Sequence, residues 1–146
     1  MSGITLTLRA LHDGERRLER DLLAAAQRHS AEAEVHHVAT DLAHWSREHS
    51  RRIPTPGPIG RLGEKAAAAL GRRPEPGLLL LHDLRELHLG ATGNSLYWEM
   101  LAQGAQATRD TALLALAAQC HPQTLRQMRW TNTMVKTLAP QLLSSV

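Results

Sequence analysis

Pro54, Pro56 and Pro58, with Gly57, Gly60 and Gly63 among and after them, interrupt a chain otherwise built for helix. Proline removes a backbone donor and glycine raises the entropic cost of helical order, so such a run ends any helix that reaches it. Before it, Leu8, Leu11, Leu18, Leu22 and Ala26 recur at helical spacing, as do Val35, Val38, Leu42 and Trp45. After it the pattern returns at Leu80, Leu84, Leu87, Ala91, Trp98, Ala102 and Ala105, then at Leu113, Ala117, Thr124, Met128 and Val135. Each set falls on one face of a helix. The chain is therefore two helices, a long break and two more helices.

The first helix is expected over about 5–29 and the second over about 31–52, with Ser30 stopping one and capping the other. Glu32 and Glu34 then fall in a first turn, where the helix dipole favours acid, and Arg47, Arg51 and Arg52 in the last turns, where it favours base. So short a joint makes the two helices antiparallel neighbours. The break, about 53–77, contains a helix-forming stretch near 64–70 and is longer than a hairpin needs. It can travel the length of a bundle, so the third helix, about 78–109, is expected to run parallel to the second. Gly90, Gly93 and Asn94 predict a kink or close approach midway. Asp110 should cap the fourth helix, about 111–138, and Pro122 should kink it. The expectation is one all-α domain over the 146 residues, a four-helix bundle with a long crossover.

Composition supports helix. Hydrophobic residues make up 42% of the chain, mostly Leu and Ala, and Phe is absent, which suits a bundle better than a β-sandwich. The net charge of +3 comes from dispersed arginines with acids nearby, without the aromatic-basic stripe or reading helix that nucleic acid would need. Cys120 has no second cysteine to pair with. No apolar run approaches the ~18 residues of a membrane span, and Met1–Leu6 lacks the features of a signal peptide, so a cytoplasmic protein is expected.

Function has to be sought among the ionisable residues near core-facing positions. Glu15 lies on the first helix's leucine stripe, with His12 one turn before it. Asp41 and His44 flank the second helix's stripe, and His49 lies near its centre. Glu99 follows Trp98 on the third helix, and His121 stands one turn after Ala117 on the fourth. With a rise of about 1.5 Å per residue, Glu15, Asp41, His44, Glu99 and His121 all come to roughly 12–17 Å from one end of the bundle. A buried carboxylate needs a partner, and a shared level offers one.

This constellation resembles the ferritin-like superfamily, whose di-metal members draw a Glu from each of two helices and a Glu-x-x-His pair from each of the other two. By position, Glu15 and Glu99 match the single Glu residues, and Asp41-Leu42-Ala43-His44 matches one pair with Asp for Glu. Ala118-Gln119-Cys120-His121 keeps the His and has Ala118 where the carboxylate belongs. The resemblance implies up-down-down-up order and a metal site of Glu15, Asp41, His44, Glu99 and His121. His12, Glu15 and His49 form a competing arrangement. Mixed His and carboxylate ligands imply iron or manganese, or zinc, rather than calcium. The one-turn pairs His37/Asp41, His44/Glu48 and His82/Glu86 resemble hemerythrin-like bundles, but their heights do not converge.

Two functions follow. One is a metal or redox protein of the ferritin-like kind. The other is a non-catalytic helical dimer or partner-binding module that has lost the metal, which Ala118 favours. A small-molecule site in a bundle thinned by Gly90, Gly93 and Gly104 is a third. Arg109 is expected near enough to the inner face to pair with Glu15 or Glu99, His88 to be a satisfied core histidine, and His29 to lie at the surface or cap a helix.

Overall fold

Ser2 opens the first helix: its hydroxyl accepts the Thr5 N–H at 3.1 Å, a cap six residues before the leucine stripe begins at Leu8. The computed structural model describes residues 2–54 and 75–144. They form α1 (Gly3–Arg28), α2 (Ala33–Arg52), α3 (Pro76–Thr108) and α4 (Thr111–Ser144), with no strand among the described residues. The expected short helix near 64–70, and most of the crossover, lie outside them.

The termini follow capping chemistry, with corrections. Ser30 does not cap α2; that helix starts from Glu32 without a side-chain cap, and Glu34 supplies the acid in its first turn. Helix α3 begins earlier than expected because Pro76 sits at its start, where the missing N–H costs nothing. It ends at Arg109 in the left-handed region (φ 56°, ψ 36°), exposed and turned from the core, so Arg109 is not a partner for Glu15 or Glu99. Asp110 caps α4 as expected, accepting the Leu113 N–H at 3.1 Å. Helix α4 continues through both Pro122 and Pro140 to Ser144.

Four helix pairs touch: α1 with α2, α1 with α3, α3 with α4 and, least closely, α2 with α4. In each, residue numbers rise along one helix as they fall along the other. Ile4 lies beside Gly104 and Leu18 beside Gly90; Arg28 reaches Asp83. On α4, Leu142 lies against Gly77, and His121 bonds Ser95. Gln127 reaches back to α2 at Ser46 and Leu42.

Apolar packing fills both ends of the bundle and its middle. Leu8, Leu11, Trp98, Leu101, Leu113 and Ala117 form one cluster, Leu18, Leu22, Ala39, Leu42, Leu87 and Ala91 a second, and Val35, Leu80, Leu84 and Met134 a third. All five residues of the α1 stripe are buried. Fully burying one such leucine contributes about 1.5–3 kcal/mol, so these stripes supply the main drive to fold. Between the first two clusters the bundle turns polar.

Candidate functional site

Glu15 and His49, both completely buried, form the centre of that polar layer. The α1 spacing that buries Leu11 and Leu18 necessarily turns Glu15 inward with them. The ring Nδ1 of His49 meets the Glu15 Oε2. The other carboxylate oxygen, Oε1, accepts the Asn94 Nδ2–H from α3 at 2.8 Å. On the far side of the imidazole, Nε2 faces the Gln123 Oε1 of α4 at 2.7 Å. Each helix thus contributes one side chain: Glu15, His49, Asn94 and Gln123. Trp98 stands edge-on to the His49 ring, centroids 5.9 Å apart and planes at 86°.

Both ring nitrogens of His49 face acceptors. It can satisfy them by donating twice, as an imidazolium against a carboxylate, or by accepting the proton of a neutral Glu15 while donating to Gln123. In both states the pair is electrically neutral and holds one proton between two sites. Burial pushes the Glu15 carboxyl above its ordinary value, while hydrogen bonds and charge from His49, and the Asn94 amide, pull it back. Net neutrality is what allows the pair to be fully buried.

The layer depends on a close approach of backbone. Gly14 faces Asn94, and a Cβ at Gly14 would collide with the Asn94 Oδ1. The expectation of a tight approach near Asn94 is met here, with the small residue on α1. One turn further, Gln127 extends the polar seam, donating to the Leu42 carbonyl at 3.0 Å and the Ser46 hydroxyl at 2.8 Å. Two amide side chains of α4 therefore bridge to α2 where the backbones approach least.

The residues expected to meet at one level are divided differently. Glu15 and His49 are together. Asp41, His44 and Glu99 are exposed on the outer surfaces of their helices and do not converge with Glu15. Height along the axis does not suffice, because azimuth decides burial: Glu99 is about 100° round from the fully buried Trp98. The register also differs, since His49 rather than His44, and Asn94 rather than Glu99, stand level with Glu15. His121 is half-buried and bonds the Ser95 hydroxyl at 2.8 Å. His12 is half-buried with its Nδ1 unpartnered, and burial followed by the nearby Arg16 lowers its pKa. Among the described residues no group of three or more His, Cys, Asp or Glu side chains is arranged to hold a metal ion.

Two further histidines are bonded within the bundle. His29, expected at the surface or at a helix cap, is the C-cap of α1 and is buried; its Nε2 lies 2.7 Å from Asp83, which also accepts two hydrogen bonds from Arg28. His88 is half-buried, its Nδ1 2.9 Å from the Thr131 hydroxyl. Cys120 is buried, and desolvation raises its thiol to about 11, so it is a thiol rather than a thiolate at neutral pH.

Asn94, Gln123 and Gln127 were missed as members of the layer. The signal was present for two of them. Asn94 stands three after Ala91 and four before Trp98, and Gln127 three after Thr124, both on buried faces.

A carboxylate-oriented histidine is half of a general-base arrangement. Here the second ring nitrogen is taken up by Gln123 and the ring has no exposed surface, so it offers nothing to a substrate. The donor set of one carboxylate, one imidazole and two carboxamides also falls short of the four carboxylates and two histidines of a di-metal centre. Comparison with protein-family models, characterised proteins and solved structures returns no significant match. No described helix is long and apolar enough to cross a membrane.

Proposed function

We propose that this chain is a ferritin-like, up-down-down-up bundle in which a hydrogen-bonded layer replaces the metal centre, and that it acts as a non-catalytic, partner-binding module. The observation that carries this reading is the composition of the layer: Glu15 is its one carboxylate, and His49 and Asn94 already engage both its oxygens. The order of helices is supported by the antiparallel contacts of all four adjacent pairs. In the metal-bearing reading, iron or manganese would need Asp41, His44 and Glu99 turned inward, and they are exposed. The layer instead fixes register, because sliding any helix by one turn would leave a buried polar group unpaired.

The test is elemental analysis of protein expressed with added iron and manganese, alongside Glu15→Ala/His49→Ala. The expected result is trace metal in both proteins. One or two ions per chain, lost in the double variant, would overturn the reading in favour of a metal protein.

A further inference from the structure

Helix α3 is apolar on two opposite faces. Its inner face holds the buried Leu87 and Trp98, and a residue two places away is about 200° round the helix. Leu89, Leu96 and Met100 each stand two places from one of these and are 49%, 52% and 56% exposed. From Leu87 to Thr108, Glu99 is the one Asp, Glu, Lys or Arg, whereas α1, α2 and α4 each carry two or more exposed arginines. A helix apolar all round belongs against partners on both sides. Gly93 lies between Leu89 and Leu96 on the outer face, and a Cβ there would meet nothing within 4 Å. Glycine weakens a helix interior and packing within this chain does not require it here; its use is to let another backbone approach.

The two sides of Gly93 complement each other. Before it, Leu81, Leu89, Val135, Ala139 and Leu143 line an open apolar groove between α3 and α4, with the exposed Arg85 beside them. After it, Leu96 and Met100 stand out from the surface. At about 1.5 Å per residue these lie roughly 4.5 and 10.5 Å beyond Gly93, and Leu89 and Arg85 roughly 6 and 12 Å before it. A two-fold axis beside Gly93, with the helices antiparallel, therefore sets Leu96 and Met100 of each copy over the groove of the other. Glu99 of one copy comes within about 3 Å of the level of Arg85 in the other, on the same flank. Within its own chain that arginine is paired with its exposed neighbour Glu86, and a guanidinium has donors for both. Parallel helices would instead oppose Arg85 to Arg85 and groove to groove. We propose that the outer face of α3 binds a second copy of this chain, α3 against α3 in antiparallel order, crossing at Gly93. Apolar burial supplies affinity, and the charge pairs fix the direction.

Such an interface rests on the partner-binding role proposed above and names the partner. Sedimentation equilibrium of the full chain across micromolar concentrations tests it. A dimer is expected, and Leu96→Glu and Gly93→Leu should each reduce it to monomer while circular dichroism stays unchanged, since both positions are open in the single chain. Arg85→Glu and Glu99→Arg should each weaken the dimer about tenfold, because every change acts twice across the two-fold, and the double variant should recover it. A monomeric wild type would overturn the interface; if it also sediments with phosphatidylcholine vesicles and Leu96→Glu does not, the face meets lipid instead. A dimer that survives Leu96→Glu and Gly93→Leu, or a double swap without recovery, would overturn it too. Iron or manganese bound in the dimer would overturn the metal-free reading of the core and leave the interface standing.

Discussion

Two carboxylate–imidazole pairs tie this bundle together, and their surroundings give them different characters. Glu15–His49 sits in the central layer, fully buried, with carboxamides as its other partners. Asp83–His29 joins the end of α1 to α3, and its other partner is Arg28, a guanidinium with 46% of its side chain exposed. The first pair can be neutralised only from within itself. The second is relieved by a cation that also reaches water. Carboxamides satisfy lone pairs without adding charge, so the central layer is specific in geometry and intolerant of losing a member. The peripheral cluster can re-solvate.

The sharpest way to break this contrast is to remove one carboxylate from each. Glu15→Ala leaves His49 buried beside an empty space and should cost about 3–5 kcal/mol, the range for breaking a buried pair. Urea unfolding followed by circular dichroism measures it. Asp83→Ala leaves Arg28 free to turn to solvent, with only the His29 Nε2 losing a buried partner, and should cost less, about 1.5–3 kcal/mol, the scale of a hydrogen bond to a charged group. Equal losses would mean that the central layer is hydrated and the distinction between the pairs is false.

A smaller effect isolates the amide. On propensity alone Gly14→Ala should stabilise α1 by roughly 0.5–1 kcal/mol. Because the added Cβ meets the Asn94 amide that bonds Glu15, we expect a net loss of about 1 kcal/mol instead. In an Asn94→Ala background the same substitution should become neutral or stabilising. A double-mutant cycle with no coupling between positions 14 and 94 would show that the approach is not constrained.

Much of the fold was legible in the sequence because apolar periodicity and capping act locally. The α1 stripe, Asp110 as a cap and the end of α2 before Pro54 all follow from residues within a turn or two. The layer was legible only in part. Glu15 and His49 declared themselves by lying on buried stripes. Asp41, His44 and Glu99 misled because height along an axis was weighed above azimuth. Gln123 could not have been found, since its partner stands 74 positions away and its role depends on the register between α2 and α4. Asp83 was hidden for the same reason: its cation and its imidazole come from α1 and the turn after it.

The smallest effect concerns the proton of the Glu15 carboxyl. Burial raises the Glu15 carboxyl above its ordinary value of 4.5, so in that region the folded chain holds a proton the unfolded chain has released. Stability then falls as pH rises from about 4.5 towards the folded value, since the slope follows the difference in protons bound by the unfolded and folded states. Below 4.5 both states are protonated and the contribution is level; above the folded value it is level again and the penalty is complete. Glu15→Gln keeps the shape without the titration and should remove this decline. The unfolding free energy of wild type minus that of Glu15→Gln, followed from pH 4 upward, should therefore decrease and then flatten. An increase across that interval would mean that the charge of His49 outweighs burial and depresses the carboxyl, which would make the central pair a conventional ion pair.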